Sequence, residues 1–225
     1  MKYIIANWKA NKNFLEAAEW CGVLLHNIEN NSLLKTKLGT DELRIVVCPP
    51  LPFLSLVKEK LQSHFIHVGS QDVSQFEKGS YTGEVTASSL NGLAQYAIVG
   101  HSERRNNLGE KNDLIQRKVD ISLQYHIQPI LCVRGLDDPI ITNAPIIAYE
   151  PIQAIGTGKN EDIATVVSQK KQMKMGENQL FIYGGSVNEE NCKEYMRHSE
   201  IHGVLIGTAC LDPQQLYSTI EAGIS

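Results

Sequence analysis

The chain has 225 residues, 42% of them hydrophobic and 20% charged, with a formal net charge of −4. That composition describes a globular protein and excludes a disordered chain. The weak negative charge, without long runs of one sign, argues against non-specific binding to nucleic acid or an anionic membrane.

The N-terminal "MKYIIANWK" has too short an apolar stretch for a signal peptide, and no window reaches the length of a membrane span. Its core, Tyr3–Ala6, reads as a first buried strand, and "ANWKANKN" follows, with Asn7 and Lys9 flanking Trp8. Alone these two would be a turn asparagine and an exposed lysine. Inside a barrel mouth the lysine would attract an anion and offset charge on a developing oxyanion. Leu15, Ala18, Cys21, Leu25 and Ile28 then recur at helical spacing.

Further β-branched runs follow at Leu43–Cys48, Phe65–Ser70 and Tyr96–Gly100. After the last comes "GHSERRNN", with His101 just before a helix start at Ser102-Glu103. The bland interpretation is a surface histidine near a cap. Ile115, Val119 and Leu123 mark the next helix, and Gln128–Val133 and Pro145–Tyr149 the next two strands. Between these two, "CVRGLDDPIITNAP" carries Gly135, Pro139, Asn143 and Pro145, which oppose a stable helix. A parallel crossover normally takes about a dozen residues or more, usually helical. The expectation is a barrel whose helix between strands 5 and 6 is shortened or missing, with another subunit or a neighbouring loop over the gap.

"IIAYEPIQAIGTGKN" ends an apolar strand on one carboxylate, Glu150, followed by a proline and two glycines. A structural ion pair with Lys9 or Arg104 would explain it. So would a general base desolvated against an apolar wall. The segment is not a nucleotide P-loop, because Gln153 stands where the first glycine belongs and Asn160 follows Lys159. Ile163, Val166 and Val167 mark a helix, and Gln179–Gly184 and Gly203–Gly207 complete the strands. Glycine-rich ends follow both, "YGGSVN" and "IGTACLD". Such ends let backbone N–H groups approach an anion, although each alone is a common turn. Asn188 is the expected cap of the helix after strand 7, and Asp212-Pro213 opens the last helix.

Eight strands without polar alternation, separated by helices, imply an α/β fold with a parallel sheet, either a (β/α)8 barrel or an open doubly wound sheet. Distinctive residues end strands 1, 4, 6, 7 and 8, which fits the mouth of a barrel better than one switch point. No linker or repeat divides residues 1–225, so one domain is expected. The five cysteines, odd in number and without metal-ligand spacing, read as reduced and buried in a cytoplasmic chain.

Together "NWKANK", "QDVSQFEKGSYTGE", "VGHSERR", "AYEPIQAIGTGK" and "YGGSVN", in this order over nearly the whole chain, resemble the triosephosphate isomerase family. The resemblance implies a TIM barrel that interconverts dihydroxyacetone phosphate and glyceraldehyde 3-phosphate through an enediolate, without metal or organic cofactor, in glycolysis and gluconeogenesis. It implies Glu150 as base, His101 and Lys9 as electrophiles, and Asn7 and Lys9 on substrate. Gly156, Ser186, Gly207 and Thr208 would meet the phosphate, with Glu103 a buried acid behind Lys9. In that family the histidine is the standing example of an imidazole kept neutral by a helix N-terminus, and here that feature comes from the resemblance alone. The loop around Thr82 would interdigitate in a homodimer, with a higher oligomer left open.

Two site residues depart from the family pattern: Gln153 where tryptophan is usual in the lid hinge, and Thr208 where a second glycine is usual. A catalytically inactive binding barrel and an isomerase of other sugar phosphates remain rival interpretations at this stage.

Overall fold

The computed structural model describes residues 1–154 and 158–225. Eight parallel strands close into a barrel in sequence order, with the last bonded back to the first. They are β1 (Lys2–Asn7), β2 (Leu43–Cys48), β3 (His67–Ser70), β4 (Tyr96–Val99), β5 (Gln128–Val133), β6 (Ile146–Tyr149), β7 (Leu180–Tyr183) and β8 (Gly203–Ile206). Around them lie α1 (Phe14–Glu29), α2 (Ser32–Gly39), α3 (Leu54–Leu61), α4 (Ala87–Leu90), α5 (Ser102–Asn107), α6 (Asn112–Gln124), α7 (Ile163–Gln172), α8 (Cys192–Arg197) and α9 (Pro213–Ile224). The open doubly wound alternative is thereby excluded.

The missing alternation has a simple cause. Every strand buries both faces, one inside the barrel and one under the helices. Tyr3 and Ile5 of β1, Val46 and Cys48 of β2, Ile146 and Ala148 of β6, Ile182 of β7 and Leu205 of β8 pack together as an inner cluster. Ile4, Ala6, Val47, Ile147, Tyr149 and Phe181 belong to the larger cluster beneath the helices. Side chains alternate between the two with the strand period of two.

The caps follow local chemistry. Asn13 forms a capping box with Glu16 on α1, and Asp212 accepts N–H bonds from Gln214 and Gln215 before Pro213 opens α9. The face of α1 differs from the expected one: Ala17, Trp20, Cys21, Leu24 and Ile28 are buried, while Leu15 is 77% exposed. The indole of Trp20 decides the rotation. It meets Trp8 edge-on at 4.6 Å and donates to the Cys210 carbonyl at 2.9 Å. Asn188 does not cap α8. Asn191 holds that position, and the Asn188 side chain closes a preceding turn by accepting from the Glu190 N–H at 3.0 Å.

Residues 134–145 run from β5 to β6 as turns and irregular chain. Arg134 holds Asp138 through Nε and Nη2, at 2.9 and 2.7 Å. At the far end the buried Gln179 carboxamide donates to the carbonyls of Ile141 and Ala144, at 2.9 and 2.7 Å, and accepts from the Gly176 N–H. Ile141 and Ala144 are themselves buried in the outer cluster, so this segment covers its own flank of the barrel. All five cysteines are buried and unpaired.

Candidate active site

Continuing the inner rows of the barrel past their last hydrophobic residue generates the site. Tyr3 and Ile5 lead to Asn7, Ile146 and Ala148 to Glu150, Ile182 to Gly184, and Leu205 to Gly207. All four line one cleft of about 250 Å³, together with Lys9, His101, Ser186 and Thr208. That is room for a small polar ligand rather than a nucleotide.

Glu150 is 2% exposed, and its carboxylate meets His101, the Ser102 N–H and the Cys132 thiol. His101 Nε2 lies 2.9 Å from Oε1, and the Ser102 N–H donates to Oε2 at 3.2 Å. Neither Lys9 nor Arg104 pairs with it. Lys9 bonds Glu103 at 2.5 Å, and Arg104 bonds Asp72 and Glu110, each at 2.7 Å. Burial pushes the Glu150 carboxyl upward, but His101, the Ser102 N–H and the Cys132 thiol outweigh it and hold the pKa below the usual range.

His101 caps α5, its Nδ1 accepting from the Glu103 N–H at 3.2 Å. That acceptance leaves Nε2 as the nitrogen that carries a proton toward the cleft. The expected lowering of its pKa is not what this arrangement gives. Burial is the largest single influence and acts downward, but the charge and hydrogen bond of the Glu150 carboxylate beside Nε2, joined by the charge of Glu103, together outweigh it, and the net shift is a rise. The helix N-terminus acts here through tautomer choice while the carboxylate controls the charge.

Lys9 sits at φ 54°, a left-handed conformation uncommon for a side chain of its size. Its N–H donates to Asn7 Oδ1 at 3.0 Å and its carbonyl accepts from Gln71 at 2.8 Å. Those bonds hold the strained backbone and aim the ammonium into the cleft, a cost that sites of function commonly retain. Ser186 is strained similarly, at φ 49°, and donates to the Ala154 carbonyl at 2.5 Å. Glu103 is behind Lys9 but not buried: its side chain is 43% exposed on the first turn of α5, at the rim of the mouth.

Space is tight at Gly184 and closed at Gly185. A Cβ at Gly184 would stand 3.1 Å from Glu150 Cγ, and one at Gly185 would stand 2.3 Å from the Tyr183 hydroxyl. Gly156 lies outside the described residues, so its expected phosphate contact is left as an expectation. Asn188, Gln215 and Gly158 also line the cleft, and Ser102, Cys132 and Gln71 support its charged groups. The sequence reading assigned none of these six to the site. Asn188, Ser102, Gly158 and Gln71 lie inside the motifs it quoted, whereas Gln215 and Cys132 arrive from distant elements with no local signal. Among the described residues no group of three His, Cys, Asp or Glu side chains could hold a metal ion. No helix among them is long and apolar enough to cross a membrane.

Known proteins resemble this chain in sequence over nearly its whole length. A family model described as triosephosphate isomerase matches residues 2–223. A triosephosphate isomerase of Aquifex aeolicus is 35% identical, over 95% of this chain and 96% of its own length. One of Dictyoglomus thermophilum is 32% identical over 98% and 99% of the two chains, and one of Lawsonia intracellularis 33% over all of both.

Proposed function

Because the chain belongs to the triosephosphate isomerase family, and is an isomerase of that class, we propose that Glu150 moves the proton between the two carbons of a triose phosphate. The observation that carries this reading is the buried Glu150 carboxylate facing His101 Nε2 at 2.9 Å across a cleft that also holds Lys9.

Dihydroxyacetone phosphate enters with its phosphate toward Ser186, Gly207 and Thr208, and toward Gly156 by family resemblance. Backbone N–H groups and the Lys9 ammonium hold it. The carbonyl oxygen takes the Nε2 proton donor, which displaces the Glu150 carboxylate from His101. Burial and the Glu103 N–H on Nδ1 then favour the neutral imidazole. Glu150 removes a proton from the carbon beside the carbonyl, and the electron pair forms the enediolate. His101 and Lys9 stabilise its oxygens; Glu150 returns the proton to the neighbouring carbon, while His101 Nε2 gives its proton to the former carbonyl oxygen and recovers one from the hydroxyl of the first carbon, which becomes the new carbonyl. No electron acceptor is consumed, so the residues need no redox cofactor. Asn7 positions substrate and Lys9, and Glu103 orients the ammonium.

The segment after Glu150 serves as the lid that excludes water during turnover. Residues 1–225 act as one domain, cytoplasmic, in a homodimer formed through the exposed loop around Thr82. The stacked pair Phe76 and Tyr81, with ring centroids 4.1 Å apart, stiffens that loop.

The test is isomerisation of glyceraldehyde 3-phosphate by the unchanged chain and by Glu150→Asp. Rapid turnover that falls by about 10²–10⁴ in kcat in the variant supports the assignment. A folded but inactive unchanged chain that still binds phosphate favours the inactive-barrel alternative.

A further inference from the structure

Lys9 is the one lysine or arginine among the described residues that line the cleft, and its ammonium is already bonded to Glu103. An anion held there depends on neutral donors as well. Two carboxamides line the same cleft, Asn188 on the loop after β7 and Gln215 in the first turn of α9.

Each carboxamide has its direction set by a partner of fixed polarity. Asn188 Oδ1 accepts from the Glu190 N–H at 3.0 Å, so Nδ2 is the end left over, without a hydrogen-bond partner among the described residues. Its loop is braced by Asn191, whose carboxamide donates to the Ser186 carbonyl at 3.1 Å and accepts from the Asn188 N–H at 3.0 Å. Ser186 and Asn188 are thereby held in one turn. Gln215 reaches the same turn, its Nε2 lying 3.2 and 3.4 Å from the two oxygens of Glu189. The oxygens of one carboxylate subtend too narrow an angle to take both hydrogens, so one N–H of Gln215 is left. The nearby acids are meanwhile occupied: Glu189 by Gln215, and Asp212 by the N–H groups of Gln214 and Gln215.

We propose that Asn188 and Gln215 are substrate-binding residues, whose carboxamide N–H groups supplement the backbone around Ser186, Gly207 and Thr208 in holding the phosphate. The inference rests on the placement of the phosphate given above. The turn is formed before substrate arrives, so its donors need little further ordering. The phosphate stands apart from the carbons that react. Its contacts are therefore alike in ground state and transition state, and they act on KM rather than kcat.

The experiment measures kcat and KM with glyceraldehyde 3-phosphate, inhibition by inorganic phosphate, and thermal unfolding, for Gln215→Met, Asn188→Ala and Asn188→Asp. Methionine keeps the length of Gln215 and removes its N–H groups. Aspartate keeps the acceptor for the Glu190 N–H, and so the turn, while replacing the donor by a charged oxygen. Gln215→Met and Asn188→Ala should each raise KM and the phosphate inhibition constant together, by about 3–10-fold, the worth of one hydrogen bond, with kcat within about twofold. Asn188→Asp should raise both constants by about tenfold or more without lowering the thermal midpoint. Unchanged constants in Gln215→Met and Asn188→Asp overturn the proposal. So does a loss of kcat and stability at constant phosphate inhibition, the mark of a merely structural role. Where Asn188→Ala fails to fold, Asn188→Asp decides. Phosphate inhibition that survives in the variants refutes these two residues alone, whereas an unchanged chain indifferent to phosphate refutes the phosphate placement with them.

Discussion

The two ends of the barrel use the same inner rows to opposite purpose. At the start of the rows Tyr3, Arg44 and Tyr96 point inward and satisfy one another. The Arg44 guanidinium donates to both phenol oxygens, at 3.3 and 3.2 Å, and forms a two-branched pair with Asp41. Burial, with Tyr96 beside it, pushes the Tyr3 phenol up to about 12, so that hydroxyl keeps its proton near neutrality. At the finish of the rows Asn7, Glu150, Gly184 and Gly207 open onto space. There a carboxylate faces an imidazole that a ligand can separate, and two backbones sit in strained conformations. The difference teaches that polarity alone does not mark a site inside a barrel. A site is where the polar groups have partners they can give up.

That contrast can be broken from either end. Glu150→Asp takes activity and leaves the fold. Its mirror image is Gly203→Ala, whose Cβ would lie 2.3 Å from the Tyr3 carbonyl oxygen across the β1–β8 pair. Backbone has to move there, and a loss of about 3 kcal/mol in urea denaturation is expected, while KM of the folded fraction stays within twofold. A variant of full stability would mean the closing seam is loose. Next in size is Gln179→Ala, which strips two buried carbonyls of residues 134–145 of their donor. It should cost about 1–3 kcal/mol in the same measurement, again with kcat unchanged. A fall in kcat would show that the two ends are mechanically coupled.

The smallest effect sharpens the division, because it concerns stability at the rim of the mouth. Burial opposes the Asp138 carboxylate, but bonds from the Arg134 side chain and N–H, with the charge of Arg105, hold its pKa below the usual value. Its folded pKa is therefore lower than its unfolded one. The stability it contributes is present above about pH 4 and is lost as the pH falls through the folded value. The denaturation midpoint of the unchanged chain should drop more steeply from about pH 5 to about pH 3 than that of Asp138→Asn. Parallel curves would assign acid sensitivity to another group.

Much of this was legible because strand chemistry is local. Runs such as Gln128–Val133 and Leu43–Cys48 announce two buried faces, and Asn7, Lys9, His101 and Glu150 follow strands by their position in the chain. What remained hidden depends on pairs far apart in sequence. The partner of Glu150 is His101, 49 positions earlier, and its effect on the imidazole reversed the expected direction of the pKa. The rotation of α1 was set by Trp20 reaching the Cys210 carbonyl, |i−j| = 190. Gln179 holds a segment that does not announce it, and looks like an ordinary strand-end residue until the carbonyls of Ile141 and Ala144 are in place around it.

The seam between β1 and β8 has a consequence for how the chain is made. The Lys2 ammonium donates to the Ile201 carbonyl at 2.5 Å, across 199 positions. During synthesis the first strand to emerge finds β2 soon after, then waits with its other edge bare until nearly the whole chain has been translated. Any nascent chain interrupted before residue 203 therefore presents two unpaired strand edges, the kind of surface that chaperones bind and that neighbouring chains can extend into aggregates.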